Sequence, residues 1–218
     1  AVLTSLTVAR CRVWRNEVTL WNDAVTAVPH PVTYACRAIA YSWAGDFDRA
    51  IADFTTSISL DPACSKTLVD RADTYARMGK VQESVADYTR AIQVESALRA
   101  DMQSLYRAYQ NRASVYCQMG RKEEALADYG QALRIFPDEP VTLSDKGVLL
   151  MSMGRYREAL ADFNRLIQIY PDRGDIYYRR ATCHYALGDI RSATADAREA
   201  VNRGFAPPEK FLEKLRLR

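Results

Sequence analysis

The sequence predicts an all-α fold, a stack of antiparallel helix pairs, on three observations. Gly45, Gly79, Gly120, Gly154 and Gly188 recur in one local context, as in MGKVQESVADY, MGRKEEALADY and MGRYREALADF. Their separations are 34, 41, 34 and 34 residues, one period plus an insertion of seven in the second gap. Helical periodicity flanks each glycine, whose positive φ ends one helix tightly and lets the next fold back.

Taken in order, residues 1–30 form a degenerate partial repeat, with residues 12–30 as its second helix ending on Trp21, Ala24 and Pro29. Five full units follow at 31–64, 65–98, 106–139, 140–173 and 174–207, all within a single domain of residues 1–218. Pro62, Pro137 and Pro171 close three of them because proline cannot continue a helix. The insertion 99–105 holds no glycine or proline, which predicts a helical extension rather than a loop. Residues 208–218 read as a polar cap helix, needed because each unit buries its face only against its neighbours.

Inside the units, small and large residues alternate in register. The eighth position reads Ala38, Ala72, Ala113, Gly147, Ala181 and the twentieth Ala50, Ser84, Ala125, Ala159, Ala193. The twenty-fourth reads Phe54, Tyr88, Tyr129, Phe163 and then Ala197. A ring set against a small side chain lets helices interdigitate without voids. This order, the unit length and the terminal prolines resemble the tetratricopeptide repeat family over residues 31–207. The resemblance implies a right-handed α-α superhelix whose function is protein binding. Ser84, Leu166 and Ala197 depart from the family's alanine, alanine and aromatic ring; Ala197 and Phe205, where a proline is expected, predict looser packing in the last unit.

A charge pattern runs through every unit. Arg37, Arg71, Arg112, Lys146 and Arg180 hold the seventh position, and Asp53, Asp87, Asp128, Asp162 and Asp196 the twenty-third. The two positions are equidistant from the central glycine, so a ladder of structural ion pairs is expected at the core edge. Each pair, if exposed, contributes about 0–1 kcal/mol.

In tetratricopeptide proteins the first helices of successive units line the binding groove. The resemblance therefore nominates Asp70, Asp73, Arg77, Arg107, Gln110, Asn111, Ser114, Asp145, Tyr178 and Arg179 as peptide-binding residues. Lys66, Asp175 and Tyr185 share those faces, and Val32, Ala35, Ile39 and Trp43 add an apolar lining in the first full unit. Trp43 serves either as an anchor for a ligand or as packing beneath the preceding partial unit. One subset of the family grips a terminal carboxylate with lysine, asparagine and arginine. Asn111 matches one place, but Ala35, Val69, Ile39 and Asp73 occupy others, so that activity is not carried over.

Composition excludes several classes. The formal charge is only +3, and the groove mixes both signs, which argues against nucleic acid as a partner. Cys11, Cys36, Cys64, Cys117 and Cys183 are scattered, without metal or redox spacing, and read as small core fillers. No nucleophile elbow, phosphate loop or H-E-x-x-H motif occurs, so no catalytic residue, metal site or cofactor is expected and the chain is read as non-enzymatic. His30 precedes a proline in a turn, and His184 reads as a packed inner-face residue. No apolar run is long enough for a transmembrane helix, so direct membrane insertion of this segment is not expected.

The first reading of function is a non-catalytic scaffold binding a peptide or protein segment. A second starts from residues 10–29, which resemble the junction between a multi-pass membrane region and extracytoplasmic tetratricopeptide repeats in glycosyltransferase-like proteins. It makes the chain an accessory, substrate- or partner-presenting domain of a membrane-bound enzyme, outside the cytoplasm, with Ala1–Val8 and Arg10, Arg12 and Arg15 as the end of a membrane helix and its basic flank; an amphipathic first helix is the plainer account. A third reading is homo-oligomeric self-assembly through Trp14 and Trp21.

Overall fold

The computed structural model describes residues 16–98 and 100–217. Among them the chain forms twelve α-helices and no strand. These are α1 (Glu17–Ala27), α2 (Pro31–Trp43), α3 (Phe47–Leu60), α4 (Ser65–Arg77), α5 (Val81–Leu98) and α6 (Met102–Gln118). They continue as α7 (Lys122–Ile135), α8 (Pro140–Ser152), α9 (Tyr156–Ile169), α10 (Gly174–Ala186), α11 (Ile190–Asn202) and α12 (Glu209–Lys214). Two compact units divide the chain, the first ending at Val115 and the second beginning at Tyr116, within α6. Ala1–Val8, Arg10, Cys11, Arg12, Trp14 and Arg15 lie outside the described residues.

Local signals account for the helix ends. The five repeat glycines have φ between +73° and +82°, the left-handed region where a Cβ is strained. Asp46 and Asp189 accept from the backbone N–H of Arg49 and Ser192 and so cap α3 and α11. His30 caps α2: its Nδ1 accepts from Val32 N, and Pro31 stands at the first helical position.

In the first unit α2 pairs with α3 and α4 with α5, while α1 packs on α2 and α3 on α4. Phe54 and Tyr88 are about 1% exposed, and Phe54 packs with Ala38 and Ala50, which like Ala72 are wholly buried. The insertion lengthens two helices. α5 runs on to Leu98 and α6 begins at Met102, so only a short break separates them. Glu95 holds that break together. Its Oε1 accepts from Ser65 Oγ at 2.5 Å, and its Oε2 accepts from the backbone N–H of Ala100 and Asp101 at 3.0 and 2.8 Å. A carboxylate 3% exposed is tolerable only with its oxygens so occupied. Asp101 then caps α6 through Gln103 N and Ser104 N.

In the second unit Leu143, Leu150, Phe163, Leu166, Ile176 and Cys183 form one buried cluster. A Cβ on Gly147 would lie 2.8 Å from Phe163 Cζ, so the ring occupies the space a side chain would need. The last full unit is not loosely packed. Phe211 and Leu215, in and just after α12, close over Ala181, Ala193 and Ala197, filling the place of the ring that Ala197 lacks.

Candidate functional site

The recurrent charges sit inside the scaffold. Arg37 Nε donates to Asp53 Oδ2 at 2.6 Å and Nη2 to Oδ1 at 2.8 Å. Arg71 and Asp87 repeat this fork at 2.7 and 2.8 Å, and Arg180 and Asp196 at 2.8 and 2.7 Å. Lys146 Nζ reaches both oxygens of Asp162 at 2.8 and 2.9 Å. The carboxylates are buried rather than exposed, Asp128 among them. Removing one partner therefore leaves a buried charge and costs about 3–5 kcal/mol, more than an exposed pair contributes.

Each arginine also spends its remaining nitrogen on the preceding repeat. Arg37 Nη1 donates to Asn22, Arg71 to Thr55, Arg112 to Thr89 and Arg180 to Asn164. Thr55 and Asn164 stand 16 residues before their arginines. The same step back from Lys146 lands on Gly130, which has no side chain to accept. Lysine stands where an arginine's remaining nitrogen would find no side chain 16 residues back.

The first unit contains a cavity of about 360 Å³ lined from α2, α3, α4 and α6. Ile39, Trp43 and Phe54 supply its apolar wall, and Asp70, Asp73, Arg77 and Arg107 its charges. Arg107 Nη2 donates to Asp70 at 2.9 Å and to Asp73 at 2.8 Å. Asp73 also accepts from Asn111 Nδ2 at 2.8 Å and from the Tyr88 hydroxyl. Burial raises the Asp70 carboxyl above the ordinary range, with Arg107 opposing it, and burial followed by the charge of Asp73 raises the Tyr88 phenol. Arg77 is held otherwise: Nη1 donates to Ser42 Oγ at 2.9 Å, and the guanidinium lies 4.9 Å from the Phe47 ring centroid. Ser42 Oγ is within 3.1 Å of Thr74 Oγ1, so a buried hydroxyl pair fixes the base on which Arg77 rests. Trp43 is 77% exposed; among the described residues it is not packing beneath the preceding helix α1.

Of the ten nominated peptide-binding residues, Asp70, Asp73, Arg77, Arg107 and Asn111 thus come together in the first unit. Gln110 and Ser114 are half-buried farther along α6. In the second unit burial raises the Asp145 carboxyl, opposed by the charge of Arg179. Tyr178 is covered by its own chain, stacked on Phe205 and edge-on to Phe211, both with centroids 5.3 Å away. Half-buried Tyr185 likewise meets Phe211 at 5.8 Å. His184 lies between Asp189 and Asp196, at 3.5 and 3.9 Å. Ser42, Thr74 and the Tyr88 hydroxyl were not nominated; in sequence, nothing relates a serine on α2 to an arginine 35 residues later. Among the described residues no cluster of His, Cys, Asp and Glu is placed to hold a metal ion, and no helix is long and apolar enough to cross a membrane. Cys36, Cys64, Cys117 and Cys183 are free thiols, and burial raises Cys183 to about 11.

Glycine-hinged helix pairs, each tied to the one before it, are the construction of a helical repeat protein, a class that is generally a non-catalytic interaction module. Tetratricopeptide repeat families match residues 64–138 and 150–195, and the chain belongs to the tetratricopeptide repeat family. The solved structure of MamA is 20% identical with a TM-score of 0.70, over 86% of this chain and 96% of that one. YrrB, described as a TPR protein with an unusual peptide-binding site, is 15% identical with a TM-score of 0.71, over 90% and 97%. BtubC (BKLC) from P. vanneervenii is 17% identical with a TM-score of 0.71, over 88% and 90%. At these identities the likeness is one of fold. No curated protein sequence matches the chain significantly.

Proposed function

We propose that the chain is a non-catalytic interaction scaffold that binds a peptide segment of a partner protein, with the cavity of the first unit as its binding site. One observation carries the reading: Trp43 presents a large aromatic face beside a preformed cavity, on whose wall Arg107 already satisfies Asp70 and Asp73. Tryptophan is among the residue types that most often dominate binding energy once a partner covers them. A cavity of this size suits one bulky side chain with its adjoining backbone. The rigid Asp70–Arg107–Asp73–Asn111 network lowers the ordering cost of binding, since the site is formed before the ligand arrives. The recurrent Arg/Lys–Asp pairs belong to the scaffold and are excluded from the binding surface. The description of YrrB as having a peptide-binding site fits this reading.

The test is selection from a random-peptide display library on the wild-type chain, followed by titration of the selected peptides against Trp43→Ala. Affinity is expected to fall by roughly tenfold or more. Peptides that bind the variant as well as the wild type would move the site away from this cavity.

A further inference from the structure

The cavity's charges are not all spent, and the imbalance says what the occupant carries. Asp70 and Asp73 are both engaged: Arg107 donates to each, and Asn111 and Tyr88 add donors to Asp73. Arg77 is the exception. A guanidinium offers five N–H groups in a planar fork. Arg77 gives one hydrogen bond, to Ser42, and rests on the Phe47 ring; no carboxylate among the described residues forms an ion pair with it. It is exposed on the same cavity wall as Trp43 and Ile39. A built, oriented cation beside an open aromatic surface has an obvious complement.

Resting on the reading of this cavity as the peptide site, we infer that the occupant is a peptide pairing a large apolar side chain with a nearby carboxylate. The apolar group lies against Trp43 and Ile39, and the carboxylate accepts from the unspent N–H groups of Arg77. Arginine suits this task because its fork matches a carboxylate bidentately. A basic ligand gains little here, since the cavity's two carboxylates are already engaged and Arg77 repels it. A nucleic-acid backbone would have to run past Asp70 and Asp73, which disfavour a row of phosphates. Ser42 acts as a positioning residue, fixing Arg77 through its buried contact with Thr74.

Positional-scanning peptide arrays test this, each peptide presented both amidated and with a free C-terminal carboxylate. They are probed with the wild-type chain, Arg77→Gln and Trp43→Ala; both substitutions are at exposed positions, and circular dichroism checks that each variant keeps its helices. The wild type is expected to select a large apolar residue with an acidic group a few places away. Arg77→Gln should lose the acidic preference, roughly tenfold for one charge-assisted hydrogen-bonded pair, while keeping the apolar one. Trp43→Ala should lose the apolar preference. Selection restricted to free C-termini identifies the carboxylate as terminal, and selection in both formats identifies Asp or Glu side chains. An acidic preference that is absent, or that survives Arg77→Gln, overturns the inference while the Trp43 effect keeps the cavity as the site. An apolar preference unchanged by Trp43→Ala, or arrays that select nothing, overturns both.

Discussion

Ser84 brings a hydroxyl to a position where the other four units have alanine. It is wholly buried, and its Oγ makes no hydrogen bond of good geometry among the described residues, the neighbouring Tyr88 hydroxyl being given to Asp73. A buried, unmet hydroxyl is penalised by about 1–3 kcal/mol, and alanine is the better helix former. Ser84→Ala is therefore expected to raise stability by about 1 kcal/mol, read as a higher midpoint in urea unfolding; a lower midpoint would contradict it. The small-and-large register behind this expectation is legible in sequence, because each unit repeats it. What Arg77 rests on is not. Ser42 and Thr74 meet across a helix interface between two successive repeats of the first unit, and nothing in either residue's own neighbourhood marks the contact. The choice between the two roles of Trp43 was equally closed to sequence, since exposure depends on what the preceding helix covers.

Among the elements, α12 is the shortest and matters beyond its length. It stands where a further unit's first helix would, and Phe211 and Leu215 make up for the ring missing at Ala197. In sequence the missing ring reads as a defect, because its replacement comes from outside the repeat frame. Truncating a buried phenylalanine leaves a cavity that the surroundings only partly fill. Phe211→Ala is expected to destabilise the second unit by about 3 kcal/mol, seen as faster amide exchange along α10 and α11. Exchange unchanged in those helices would show that α12 is dispensable. The insertion is legible only in part: residues 102–105 are helical, as a segment without glycine or proline leads one to expect, but Ala100 and Asp101 lie in a break between two helices. Two longer helices follow from a segment without glycine or proline, but the part played by Glu95 needs the three donors converging on it.

At the scale of the whole molecule, Asp162 and Asp175 respond to acid in opposite senses. Burial raises Asp162, even against Lys146, whereas the hydrogen bond from Arg173 lowers Asp175. A carboxyl raised in the folded state contributes stability that is fully present below its unfolded pKa and is lost as pH rises through its folded value. A lowered one contributes stability present above its unfolded pKa and lost as pH falls through its folded value. Relative to Asp162→Asn, the wild type should therefore gain stability as pH falls from neutral toward about 4; relative to Asp175→Asn it should lose stability at the acid end of the same titration. Urea midpoints across a pH series measure both, and parallel curves for the two comparisons would refute the assignment. At this scale the all-α repeat was legible almost throughout, since one pattern is written five times. The candidate site was only half legible, because repetition reveals what the units share and a binding site lies where they differ.

The forked arginines also decide where such a chain can be cut and rejoined. A segment excised at its turns takes Arg71 or Arg180 away from Thr55 or Asn164, the residue it leans on in the repeat before. The same cut sets Lys146 behind whatever replaces Gly130. Recombination seams placed at Thr55, Thr89, Gly130 and Asn164 keep donor and acceptor on one piece. For anyone building chimaeras from this protein, the transferable cassette is therefore offset from the visible repeat, beginning midway along one second helix and ending midway along the next.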